Sequence, residues 1–260
     1  MSEHIQSHNA DGVLTLTLAR ADKKNAITDA MYGALADALS AAERDSTVRV
    51  VLLRAEGDMF SAVNDIGEFA SIAMAGGKGN GERNVIRFLH ALARATRPLV
   101  AAVQGRAVGI GTTMLLHCDL VYASETAKLS MPFAQLGLCP EAASSLLLPQ
   151  LAGYHRAADK LLFGEPFDAN EARELGLVNR VLPAGELDAF VRTQARKLTL
   201  LPPASLRATK RLMKEGATPQ IAERMSVEGK QFGEMLRAPE AREAFTAFFE
   251  KRRPDFSKFN

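Results

Sequence analysis

Tryptophan is absent from the 260 residues, tyrosine occurs three times, and the formal net charge is only +2. The chain therefore offers neither an aromatic stacking surface nor a broad basic field, which argues against nucleic acid as a partner. Cysteine is almost as scarce. Cys118 and Cys139 both sit in apolar surroundings with no leader peptide ahead of them, so no disulfide is expected and a reducing, cytoplasmic compartment is. No apolar run approaches a membrane span, the opening Met-Ser-Glu-His is polar, and the ending Ser-Lys-Phe-Asn is no peroxisomal address. The five histidines lie without ligand spacing, and Ser144 and Ser145 have no nucleophile-elbow pattern, so neither a metal site nor a serine hydrolase is indicated.

What the chain does have is apolar mass. At 47% hydrophobic it can bury a sizeable core without staples. Val13–Leu18 alternates as a half-buried strand does, whereas Val48–Leu53 and Pro98–Val103 read as strands covered on both faces. Asp119–Ala123 and Val178–Leu182 complete the strand series. Thr28 can cap a helix carrying Met31, Leu35 and Leu39, Val85 to Leu92 gives a second apolar stripe, further helices begin near Ala142 and Tyr154, and Asp168 can cap another. From Ala184 the strand signals vanish, and helices follow, broken at Leu201–Pro203 and Arg237–Pro239. The expected organisation is an α/β core over residues 1–199 and an all-helical piece over 200–260 that packs on the core or on a neighbouring subunit. Arg207, Lys210, Arg211 and Lys214 recur at helical spacing, as a solvated basic face or as an anion site.

One charge stands out. Glu141 is the only charged residue in the run Leu129 to Tyr154. An acid in such surroundings is desolvated, its pKa rises toward neutrality, and it can take and return a proton as a general base. The same residue behind Pro140 also fits a helix start, where a carboxylate meets the helix dipole. Two other segments share this ambiguity. In Met59–Phe69, Asp65 can cap a helix. In Val103–Thr113, glycines at 105, 109 and 111 separate a strand from an apolar helix, either exposing backbone N–H groups as an oxyanion site or allowing close packing. Neither a phosphate-loop nor a dinucleotide pattern fits.

Five landmarks accompany them: Leu18–Ile27, Phe60–Ile66, the stretch at 97–105, Cys118–Ala123, and Glu171–Asn179. On these motifs, over nearly the whole length, the chain resembles the crotonase (enoyl-CoA hydratase/isomerase) superfamily. The resemblance implies a crotonase-type spiral of β-β-α repeats, a C-terminal helical trimerisation region giving a homotrimer or a dimer of trimers, and an acyl-CoA thioester as substrate. No separate cofactor is implied, since coenzyme A enters as part of the substrate. Carried over by position, the backbone amides of Asn64 and Ile110 form the oxyanion hole. Lys24, Ala62, Asp65, Ile66, Gly109, Phe133 and Lys251 fall to substrate and coenzyme A binding.

Family members that hydrate a double bond use two glutamates, and the matching positions here are Thr113 and Phe133. The phrase Leu-Gly-Leu-Cys-Pro-Glu-Ala-Ala-Ser-Ser ending at 145 is similar instead to that of Δ3,Δ2-enoyl-CoA isomerases, in which one carboxylate moves a proton from C2 to C4. The resemblance thus implies an isomerase with Glu141 as base. Hydration by another carboxylate, and a non-catalytic acyl-CoA or RNA-binding scaffold, are the alternatives. One position departs from the pattern: Val63 stands where the family has glycine, and a β-branched residue is strained if φ there is positive.

Overall fold

A computed structural model describes residues 2–62 and 84–259. Two strands form the outer edge of the main sheet, β1 (Ile5–Ala10) and β2 (Val13–Leu18), joined by a two-residue turn in which Asp11 and Gly12 both take positive φ, 53° and 80°. Asp-Gly is the favoured pair for such a hairpin, because both central residues must be left-handed. Then come β3 (Val50–Ala55), β4 (Leu99–Val103), β6 (Leu120–Ser124) and β9 (Arg180–Leu182), all parallel to β2, in the order β1-β2-β3-β4-β6-β9. A second sheet holds β5 (Arg106–Val108), β7 (Lys128–Ser130) and β8 (Phe167–Asp168). Successive strands β4 and β5, then β6 and β7, fall into opposite sheets. That alternation winds the chain into a spiral.

Helix α1 (Asp29–Arg44) begins where Thr28 accepts the Met31 amide at 3.3 Å, and buries Met31, Leu35 and Leu39 as its spacing predicts. Helix α2 (Asn84–Arg94) packs on α1 through Phe88 and Leu92, with Phe88 tilted on Tyr32. A four-residue helical turn, α3 (Ile110–Thr113), follows β5. Next are α4 (Ser144–Ala152), α5 (Tyr154–Phe163) and α6 (Ala169–Glu174), the last capped by Asp168, whose carboxylate accepts the Asn170 and Glu171 amides. Helix α7 (Leu187–Thr199) lays Leu187, Val191 and Ala195 on Val50, Leu52, Val100, Ala102 and Tyr122 of the main sheet. The opposite face of that sheet lies in the larger core. Cover on both faces explains the unbroken apolar runs of β3 and β4.

It also corrects the reading of Val13–Leu18 as half-buried. Thr15 and Thr17 are buried beside the other strand residues, because the face they share with Val13 lies under α7. The hydroxyls mimic an exposed face in the pattern alone.

Helices α8 (Pro203–Lys214), α9 (Thr218–Met235) and α10 (Pro239–Phe249) start at or beside prolines, the first and last at the expected breaks, whereas the turn at 215–217 ahead of α9 is a further break. All three reach the core. Lys210 binds Asp119, Glu228 binds the turn at 143–145, and α10 lies so close to Gly137 that a Cβ there would stand 2.8 Å from the Ala241 amide nitrogen. Among the described residues no helix is long and apolar enough to cross a membrane.

Candidate active site

Glu141 stands in a non-helical turn three residues ahead of α4, so it precedes that helix instead of opening it. Its carbonyl accepts the Ser144 amide at 3.0 Å and hydroxyl at 2.6 Å. Ala142 and Ala143 follow with φ of 60° and 56°, a left-handed pair that costs non-glycine residues roughly 1 kcal/mol each. Two buried side chains brace this turn. His117 Nε2 donates to the Ala142 carbonyl at 2.8 Å, and Glu228 of α9 accepts from the turn on the other side.

The Glu141 side chain lines a cleft of about 320 Å³ between α2 and α9, with Leu89, Ile86, Met225 and Phe232 among its apolar walls. Its Oε1 is buried and has no hydrogen-bond partner among the described residues. Burial, and then the charge of Glu228, push its pKa up to about 8. Among the described residues lining the cleft, Glu141 is the only carboxylate. An acid in this state can exchange a proton near neutral pH with whatever fills the cleft.

The glycine-rich segment is built for close approach. Gly105 and Gly109 take φ of 58° and 56°, and a Cβ on Gly105 would collide with the Asp58 carbonyl oxygen at 1.8 Å. Gly111 packs on Ser61. Gly109 donates to the Ser130 carbonyl at 2.9 Å and its carbonyl accepts Thr112 and Thr113. Ile110 is therefore the first residue of a helical turn, whose own N–H the turn leaves without an acceptor. Alongside, Ser61 bridges to Ala107, and the Val108 amide donates to the Ser61 carbonyl. The chain up to Ala62 thus runs beside the strand that delivers Ile110. Asn64, Asp65, Ile66 and Val63 lie outside the described residues.

The remaining expected positions are distributed. Phe133 is buried and meets Phe232 edge-on at 6.5 Å, so it supports the cleft wall from behind. Thr113 is buried with its hydroxyl unpartnered among the described residues. Lys24 is exposed and pairs with Asp58 at 3.1 Å, while its carbonyl accepts the Ala62 amide. Buried Asn25 secures that junction, its amide donating to the Glu56 and Met59 carbonyls at 2.8 Å. Lys251 is exposed past α10 and is not among the cleft residues. Within the basic stripe, Lys210 is buried against Asp119 and Lys214 is half-buried, so this face is not simply solvated.

Sequence reasoning passed over Glu228 and treated His117 as bland. Both are remote in sequence from Glu141, and nothing in their local pattern marks them. The one available hint at Glu228 is an acid on the i, i+4, i+7 face of α9 otherwise occupied by Ile221 and Met225.

An open cleft holding one desolvated carboxylate beside a two-sheet spiral defines an α/β protein fitted for proton transfer. The enoyl-CoA hydratase/isomerase family model matches residues 8–259. The 1,2-epoxyphenylacetyl-CoA isomerase of Escherichia coli (strain K12) is 33% identical, covering 99% of this chain and 99% of that protein. Enoyl-CoA delta isomerase 2 of Rattus norvegicus is 39% identical over 78% of this chain, which spans about half of that relative's length (52%). A crystal structure of an enoyl-CoA hydratase/isomerase from Pseudoalteromonas atlantica T6c superposes with a TM-score of 0.93 at 42% identity, covering 98% of this chain and 100% of that one. The chain belongs to the enoyl-CoA hydratase/isomerase family, within the crotonase superfamily.

Proposed function

We propose that the protein moves a carbon–carbon double bond in an acyl-CoA thioester, converting 3-enoyl-CoA to 2-enoyl-CoA, with Glu141 as the sole proton carrier. The observation that carries this reading is the Glu141 carboxylate, alone of its kind among the described residues lining the cleft, with a buried oxygen unpartnered among them and a pKa near 8. Glu141 removes a proton from C2, the dienolate oxygen rests on the Ile110 and Asn64 amides, and the acid so formed returns the proton at C4. Each such amide is worth roughly 100- to 1000-fold in rate. Hydration needs a second carboxylate to hold and activate water. Thr113 and Phe133 occupy the two family positions for it, and the apolar walls keep water scarce.

The test is to incubate the protein separately with 3-enoyl-CoA and 2-enoyl-CoA. Formation of the conjugated thioester from the first, with no water adduct from the second, is expected. Steady hydration of 2-enoyl-CoA overturns the isomerase reading, and tight CoA-ester binding without turnover of either favours a binding scaffold. We further propose that copies assemble as trimers. Leu212, Met213, Phe248 and Phe249 of α8 and α10 are exposed, an apolar surface that assembly would cover; a monomeric mass in sedimentation would refute this.

A further inference from the structure

Glu228 stands on α9 one turn before the cleft residue Phe232 and is 5% exposed. Its two oxygens take three hydrogen bonds from a single turn. Oε2 accepts the Ala143 amide at 2.6 Å, and Oε1 accepts the Ser145 amide at 3.0 Å and the Ser145 hydroxyl at 2.5 Å. A carboxylate offers only acceptors, so three converging donors suit the ionised form. The turn they hold contains the left-handed pair Ala142 and Ala143, a conformation that persists only where its surroundings fix it. Glu228 therefore cannot swing away from Glu141 without releasing the strained turn.

We propose that Glu228 is a positioning residue for Glu141: its carboxylate clamps the turn that sets the base at the cleft wall, and stands there as a fixed negative charge beside it. This rests on the reading of Glu141 as the base. A like charge disfavours ionisation of its neighbour, and it is the second cause, after burial, of the raised proton affinity of Glu141. For Glu228 itself the pKa is raised, because burial pushes it up further than the Ser145 and Ala143 donors and the charge of Arg224 pull it back; the three converging donors are what favour its ionised form. Among the described residues, the other titratable groups around the turn supply no second anion. Cys139 is held as a thiol, its pKa pushed up to about 11; His117 is neutral, its pKa lowered to about 4 by burial; Lys230 and His90 line the cleft.

The experiment is a pH titration by nuclear magnetic resonance of the full chain, labelled at its glutamate carboxyl carbons, with the Glu141 signal identified by its loss in Glu141→Gln. In Glu228→Gln the Glu141 midpoint is expected to fall by about one pH unit, the tenfold change in proton affinity that one close charge supplies. A folded Glu228→Gln with the midpoint unmoved overturns the proposal. The wild-type chain decides independently of whether that variant folds. Ser145→Ala removes one donor from Glu228 and so identifies its signal, which must titrate in the wild type at lower pH than that of Glu141. A Glu228 still protonated while Glu141 ionises would carry no charge, and the proposal would fall. Failure to isomerise 3-enoyl-CoA would end the functional reading but leave both midpoints measurable.

Discussion

The C-terminal helices touch the core through two buried carboxylate contacts of opposite character. At one, Lys210 of α8 meets Asp119 at 2.6 Å and also donates to the Arg97 carbonyl at 2.7 Å, while Asp119 accepts the Leu99 amide. Charge is matched and every partner is engaged, so the contact fastens α8 to the edge of β4 and β6. At the other, Glu228 of α9 meets a turn whose neighbouring side chain is a second acid. Its donors satisfy Glu228, but nothing among the described residues satisfies Glu141 Oε1. A buried group left without a partner is costly, and the fold keeps that cost at the cleft wall. The contrast separates a contact that serves architecture from one that keeps a carboxyl reactive.

The strongest way to break this contrast is to neutralise the reactive member. Glu141→Gln keeps the shape and removes the proton carrier, and isomerisation should drop by roughly 100- to 10,000-fold, the range that a positioned acid–base group supplies. Binding of a CoA ester, followed by calorimetry, should persist. In the wild type, kcat/KM for 3-enoyl-CoA should rise with pH through a midpoint near 8, because Glu141 must lose its proton before it can take one. Undiminished isomerase activity in the glutamine variant would remove Glu141 from the mechanism.

The architectural contact should respond in the other currency. Lys210→Ala leaves Asp119 part-buried without its counter-charge, and breaking such a pair costs about 3 kcal/mol or more. Denaturant unfolding should show that loss, while the pH midpoint of kcat/KM stays in place. A shift of the midpoint without a loss of stability would mean that the two contacts are not separable in the way proposed.

These two contacts also show what the sequence made legible. The parallel strands, α1 with its Thr28 cap, the Asp168 cap and the proline breaks of the C-terminal helices all follow from local pattern. So does Glu141, because a lone charge in an apolar run is visible one residue at a time. The hairpin at Asp11–Gly12 carried a clear signal, but its strand Ile5–Ala10 is polar between its end residues and buries only Ile5. The short strands β5, β7 and β8 are two or three residues long, too brief to set up a period. Glu228 and Lys210 were illegible for a different reason. Their partners lie 85 and 91 residues away, and whether a charge on a helix faces solvent or core is decided by packing.

The stability of the protein should carry its own mark of the unsatisfied acid. Glu141 has a folded pKa of about 8, above its ordinary 4.5. Between these values the folded chain holds a proton that the unfolded chain has released, so the stability this group contributes is complete below pH 4.5 and is lost as pH rises through 8. The loss amounts to a few kcal/mol at most. His117 runs the opposite way. Its folded pKa of about 4 lies below the ordinary 6.5, so its contribution is complete above pH 6.5 and is lost on acidification. Glu141→Gln should therefore gain stability over the wild type between pH 6 and pH 9, measured by denaturant unfolding at each pH. An equal difference at both would show that the acid is not strained by burial.

The smallest effect is expected where neither kind of buried contact exists. Lys24 and Asp58 form an exposed pair at 3.1 Å, with side chains 55% and 73% accessible, where water and salt screen the attraction. Lys24→Ala should leave the unfolding transition unchanged. The resemblance gives this lysine a place near the pantetheine and phosphates of coenzyme A, and its carbonyl accepts the Ala62 amide, two residues before Asn64 in sequence. A flexible ammonium binds phosphate as a point charge, so its removal should raise KM for a CoA thioester several-fold, and less so as salt increases, while kcat holds. If KM is indifferent to both the substitution and the salt, the thioester takes another path into the cleft, and Lys24 serves only to pair with Asp58.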